Sequence, residues 1–181
     1  MQSSIPPNSF TFGIRNSLND FGIMVVSYDP FSAPKRDRKQ TIPFRHGRYD
    51  QGKKFYDEKI ITLECRTEAR GLTKAEMREV IFWLSQKSNL VLWDEPDKFY
   101  VGELLQSAAV DVLARGEFRQ FTLPLICEPF AYGRQVTQQI HQGDNVIEYG
   151  GTIETPTMLV IHNPNDFPVT GITVRAVKSR R

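Results

Sequence analysis

The sequence predicts a mainly β fold of the α+β type: a sandwich-like domain with one amphipathic helix and an extended arm or hairpin, followed by a short β-rich extension. Three observations predict it. Short β-branched and aromatic runs alternate apolar with polar residues, the two-residue period of a strand with one buried face. Clusters of Asn, Asp, Ser, Pro and Gly separate these runs and favour turns. One stretch alone, after Thr73, carries apolar residues at the three- and four-residue steps of a helix. At 181 residues and 40% hydrophobic, the chain can fill one substantial core plus a small appendage, so the expected division is a main domain over 1–133 and an extension over 134–181.

Taken in order, Phe10 to Ile14 and Phe21 to Tyr28 read as an opening hairpin about the turn-favouring segment from Arg15 to Asp20. Asp29 to Gly52 holds three prolines and a basic run around short apolar spots, which predicts an extended arm or long hairpin loop suited to contact with a neighbour. From Lys59 to Arg66, Ile61, Leu63 and Cys65 alternate with Thr62, Glu64 and Arg66, so this strand belongs in the core. Thr73 and Glu76 have the spacing of a capping box. Met77, Val80, Ile81 and Leu84 then define one face of a helix from about Lys74 to Lys87.

Asn89 to Trp93 and Lys98 to Leu105 flank the turn Asp94-Glu95-Pro96-Asp97, where Pro96 presets the backbone and the acids are placed to cap free amides. Glu117 to Cys127 puts Phe121, Leu123, Leu125 and Cys127 on one face, and Pro124 on the other implies a sheet edge or a bulge. Beyond Gly133, Thr157 to His162 and Thr170 to Val177 are strand-like.

Little in the chain points to chemistry. Net charge of +2 is too small for a dedicated nucleic-acid binder. The clusters Lys35, Arg36, Arg38, Lys39 and Lys178, Arg180, Arg181 lack interleaved aromatics and read as a solvated loop and a frayed end. No apolar run approaches the ~20 residues of a membrane-spanning helix, and the first residues lack the pattern of a secretory signal. Cys65 and Cys127 stand in apolar-alternating stretches and fit buried thiols of a reducing cytoplasm better than a disulfide. His46, His141 and His162 are isolated, so neither a metal nor a cofactor is expected.

No nucleophile elbow, zinc helix, phosphate loop or dinucleotide fingerprint occurs. Asp94, Glu95 and Asp97 have the residue types of a general acid and base pair, but a proline-centred hairpin turn is the better reading. Trp83 and Trp93 read as packing between the helix and the following strand rather than as a ligand platform. Trp83, beside the apolar stripe, is the better placed of the two for exposure at an interface.

In order and content, residues 10 to 133 resemble the N-terminal domain of siphophage distal tail proteins. The most specific segment is Leu92-Trp93-Asp94-Glu95-Pro96-Asp97-Lys98-Phe99-Tyr100, similar to the family's Asp-Glu-Pro turn and aromatic strand after a helix. The ending from Phe121 through Pro129 to Tyr132-Gly133 is similar to its terminal strand. Weaker likenesses are Phe12-Gly13-Ile14, Asn19 to Ile23, and Phe44 to Asp50.

The resemblance implies a non-catalytic virion protein: a hexameric ring connecting the tail tube to the tail-tip or baseplate apparatus for host recognition, in a tail made in the bacterial cytoplasm. Its implied partners are further copies of itself, the tail-tube protein and tail-tip or receptor-binding proteins, with DNA only in transit through the lumen and no membrane. Carried onto this chain, the subunit-interface arm would include Lys35, Arg36, Arg38, Lys39, Phe44 and Arg45, and the structural motif Asp94, Glu95, Pro96, Tyr100, Pro129, Tyr132 and Gly133. Longer members add a galectin-like or other β domain after the position of Gly133, which the remaining residues here are too few to complete. The alternative is a carbohydrate-binding module of the tail tip, suggested by the aromatics and the C-terminal strands. A tail-associated hydrolase acting through the acidic turn ranks below both.

Overall fold

The computed structural model describes residues 5–30, 39–41, 48–50, 56–67, 70–105, 119–153, 155 and 157–175. In chain order the strands are β1 (Phe10–Phe12), β2 (Arg15–Asn16), β3 (Ile23–Tyr28), β4 (Lys39–Thr41), β5 (Arg48–Asp50), β6 (Lys59–Thr67), β7 (Ser88–Leu92), β8 (Lys98–Leu104), β9 (Gln120–Cys127) and β10 (Tyr132–Gly133). The helices are α1 (Ser17–Phe21) and α2 (Lys74–Leu84). The mainly β class holds. One antiparallel sheet runs β2-β1-β7-β8-β9-β6-β3, with β10 added to β8, while β4 and β5 pair only with each other among the described residues. Contacts divide the chain into two units, Met1–Thr137 and Gln138–Arg181.

The first unit is built around the ladder of β6 with β9, which pairs every residue from Lys59↔Cys127 to Arg66↔Gln120. Alternation does what the sequence implies: Ile61, Leu63, Leu123 and Leu125 are fully buried while their neighbours face outward. Each such side chain contributes about 1.5–3 kcal/mol by leaving water. Pro124 sits in an interior strand, contrary to a simple edge reading, yet the edge condition is met locally. The β8 ladder ends at Leu104↔Leu125, and the Pro124 carbonyl accepts from Leu105 N at 2.9 Å. A residue's N–H and C=O face the same neighbour in an antiparallel ladder, so the donor that proline lacks points past the last β8 pair.

The opening segment departs from the expected hairpin. β1 pairs with β2 and β7, while β3 pairs with β6 at the opposite end of the sheet. The expected turn residues form α1 instead, a second helix, because Asn16 caps it: its Oδ1 accepts from Leu18 N and Asn19 N, and Gly22 ends the turn at φ 65. The Asn16 amide donates to Phe10 O, Ser9 Oγ and Thr11 Oγ1. The buried Ser17 hydroxyl accepts from Phe10 N at 3.1 Å and donates to Ile23 O at 3.0 Å. Together with Val25 N donating to Asn8 O at 2.7 Å, this ties β1 to β3 and so brings the two ends of the sheet together.

α2 has the capping box read from Thr73 and Glu76, with both reciprocal bonds formed. It stops at Leu84, a turn earlier than expected, because β7 begins at Ser88 and three residues must turn the chain. Met77, Val80 and Leu84 are buried as predicted, but Ile81 is 39% exposed and lies off the core face. Trp83 takes the inward place. Its ring stacks on Phe21 (4.8 Å) and Phe10 (5.6 Å), meets Phe12 edge-on (5.9 Å), and its Nε1 donates to Phe12 O at 3.0 Å. Trp83 is therefore half-buried: it packs on the three phenylalanines and keeps a donor partner, while its remaining surface lines a groove beside Phe82.

Both cysteines are buried free thiols. Cys127 lies opposite Lys59, six residues along β6 from Cys65, so about 20 Å separates them and a disulfide is excluded. In the second unit, no described residue joins a ladder. Thr157 to His162 and the described part of Thr170 to Val177 have strand-like composition without strand pairing, and Val160 and Met158 are 77% and 76% exposed. Propensity alone does not make a strand, because each ladder bond needs a partner. Local clasps hold this unit, such as Asn145 Nδ2 donating to His141 O (2.6 Å) and Gly143 O (2.9 Å).

Candidate assembly surface

The β7–β8 hairpin sets the acidic turn, with Leu90↔Tyr100 in register and Lys98 N donating to Glu95 O at 3.1 Å. The acids were expected to cap free amides; their side chains have other partners. Glu95 pairs with Lys98 Nζ at 2.8 Å, and Asp94 Oδ2 accepts from the Tyr28 hydroxyl at the end of β3. Burial, with the bond to Asp94 behind it, pushes the Tyr28 phenol well above its ordinary range. The Tyr28 ring meets Trp93 edge-on at 5.3 Å, so Trp93 packs as the sequence implies.

After β9 the chain steps out over 128–131 and returns as β10, pairing Tyr132↔Phe99 and Gly133↔Lys98. Pro129 lies in that step, where a missing N–H costs no ladder bond. Tyr132 stacks on Phe99 at 5.6 Å and donates to Glu128 Oε2 at 2.7 Å, while Lys87 Nζ holds the other Glu128 oxygen at 2.7 Å. Those two bonds depress the Glu128 carboxyl's pKa. Phe130 meets Tyr56 edge-on at 4.8 Å. Asp94, Glu95, Pro96, Tyr100, Tyr132 and Gly133 thus sit on the turn, β8 and the returning strand beside it, with Pro129 in the step that leads into that strand.

Lys59 was missed as a functional candidate. Only 5% exposed, its Nζ donates to Pro30 O at 2.8 Å and lies 4.2 Å from the centre of the Tyr100 ring. Desolvation lowers its pKa, with Cys127, Asp29 and Glu95 opposing. The signal was available: Lys59 is in phase with Ile61, Leu63 and Cys65, so period two already turned it inward. Of the arm residues, Lys39 begins β4, whereas Lys35, Arg36, Arg38, Phe44 and Arg45 lie outside the described residues.

A second surface feature lies between the β1–β2 turn and the end of α2. Gly13, at φ 62, turns Ile14 fully into solvent, and Phe82 is 68% exposed beside a groove of about 470 Å³ floored by Phe12 and Trp83. Arg15 and Glu79 close its rim with a 2.9 Å ion pair. Asp94 and Glu95, two of the acidic turn's three carboxylates, each have a hydrogen-bond partner, and neither this groove nor the one lined by Asp20, Arg70 and Glu76 includes any of the three. No group of His, Cys, Asp and Glu among the described residues could hold a metal.

Residues 17–127, more than half of the chain, match the family model described as the phage tail protein RIFT-related domain. Among solved structures, the chain is similar to the Dit protein of phage SPP1, described as a paradigm of the hub adsorption apparatus in phages infecting Gram-positive hosts. The TM-score is 0.54 at 19% identity, over 71% of this chain and 52% of that one. The chain therefore spans about half the length of that protein. No curated protein sequence matches it.

Proposed function

The chain belongs to the phage tail protein RIFT-related domain family, and on that footing we propose that it is a structural, non-enzymatic tail protein forming a hexameric ring between the tail tube and the tail-tip or baseplate apparatus. The observation that carries the reading is the β4–β5 ribbon. Among the described residues it is a two-stranded piece of backbone paired with no strand of the main sheet, carried by a domain of the tail family. An isolated ribbon is marginally stable in water and gains stability by lying against another surface. Repeated around a ring, such a contact is heterologous: the ribbon of one subunit rests on a different face of the next, and closure gives cyclic symmetry. Lys39 in the ribbon, with Lys35, Arg36, Arg38, Phe44 and Arg45 near it in sequence, supplies charge and an apolar anchor for that contact.

Tail-tube and tail-tip proteins are the remaining partners of such a ring, with DNA passing through its lumen and the finished tail as its location. Light scattering behind size exclusion, with negative-stain imaging, tests the reading. Six copies around a central hole are expected; a monomer at every concentration that also fails to bind tail-tube and tail-tip proteins rejects it. A glycan-binding tail-tip module is the second reading, favoured by Tyr132, 38% exposed and stacked on Phe99 beside Glu128. A silent glycan array removes it.

A further inference from the structure

We propose that Lys59, Tyr28 and Asp94 form a buckle that fixes the direction in which the chain leaves the domain after Pro30, so that assembly depends on these residues although they are not its contact surface. The consequence for assembly rests on the ring reading; the buckle itself does not.

Two ties act within three residues of one another. Tyr28 at the end of β3 donates to Asp94 in the β7–β8 turn and packs on Trp93, and Pro30 gives its carbonyl to the Lys59 ammonium. The chain is held again at Tyr56, whose ring meets Phe130. Pro30 and Tyr56, described residues on either side of the stretch that contains β4 and β5, are therefore each tied to other described residues.

The choice of residue types argues for positioning rather than stability. An apolar side chain at 59 would continue the inward row of Ile61, Leu63 and Cys65 and pack on Tyr100, without the desolvation that a buried ammonium suffers. What it would not do is hold the Pro30 carbonyl. A phenylalanine at 28 would likewise keep the contact with Trp93 and lose only the tie to Asp94. Each polar atom adds direction to a contact whose apolar part is already present.

The test uses the full chain with Lys59→Met, Tyr28→Phe and the pair combined, and Lys59→Arg as the conservative variant. Trypsin cleavage at the eight basic residues Lys35, Arg36, Arg38, Lys39, Arg45, Arg48, Lys53 and Lys54, mapped by mass spectrometry, reads the buckle without reference to assembly. Thermal unfolding reads stability, and light scattering reads association. Expected are a melting temperature at or above the parent's for Lys59→Met, cleavage roughly tenfold faster, association roughly tenfold weaker, and recovery of both in Lys59→Arg. Unchanged cleavage in the folded double variant overturns the proposal. If Lys59→Met does not fold, Tyr28→Phe decides alone, since it removes a single hydroxyl. If the parent is monomeric throughout, the cleavage rates alone decide the buckle, and the ring reading falls only if binding to tail-tube and tail-tip proteins fails as well.

Discussion

Replacing Gly102 with alanine places a methyl carbon where the β8–β9 ladder has no room. A Cβ built there overlaps the carbonyl oxygen of Ile126 and lies 2.6 Å from Cys127 Sγ and 3.0 Å from Cys127 Cα. Two effects compete. Alanine restricts the unfolded chain and on that account stabilises by about 0.4–1 kcal/mol. Against it, the first obstacle is backbone, so relief requires moving β8 off β9: about 1–3 kcal/mol for overpacking and about 1 for each ladder bond strained. The clash wins by about 2–3 kcal/mol, a fall in melting temperature of roughly 10 °C for a unit of this size. Circular dichroism melts of the parent and Gly102→Ala measure it. Adding Cys127→Ala separates the obstacles: with the Ile126 carbonyl limiting, the double variant recovers less than about 0.5 kcal/mol of the loss. A single variant melting within about 2 °C of the parent would refute the close approach.

Loss of the capping box by Thr73→Ala costs about 1 kcal/mol in urea denaturation. The Glu76 carboxyl is held at about 2 by Arg70 first and then by the Thr73 amide and hydroxyl. A depressed acid stabilises above its unfolded value and loses that contribution as pH falls through its folded one, so the gap between parent and Glu76→Gln is full above the ordinary 4.5 and closes between there and about 2. Burial pushes the Cys65 thiol up to about 12 and the Cys127 thiol to about 11, so a thiol reagent at pH 8 finds neither in the native chain and both in denaturant; prompt native labelling contradicts the core assignment. Ile14→Ser with Phe82→Ser shifts stability by no more than about 0.5 kcal/mol, because neither side chain is in the core, and a larger loss places them there.

What could be read from the sequence, and what could not, divides by the range of the interaction responsible. β6, β9, the capping box and the β7–β8 hairpin follow from periods and spacings within a dozen residues, and all stand where those patterns put them. The opening segment misled because Asn16 and Ser17 serve a turn and a helix cap equally well. The tie that decided the matter, Ser17 between Phe10 and Ile23, exists only once strands from opposite ends of the sheet meet. Trp83 shows a related limit: the helical period gives a face but not its width, and three phenylalanines from β1 and α1 widen the packed face to include part of it. In the second unit the error ran the other way, since β-branched composition was present and, among the described residues, ladder partners were not. At the candidate surface, the acidic turn and the Tyr-Gly ending were visible as words in the sequence, but the bonds joining Tyr28 to Asp94 and Lys59 to Pro30 span 66 and 29 residues. The inward phase of Lys59 was readable; the identity of what it holds was not, because a carbonyl carries no sequence signature and any residue would have offered one.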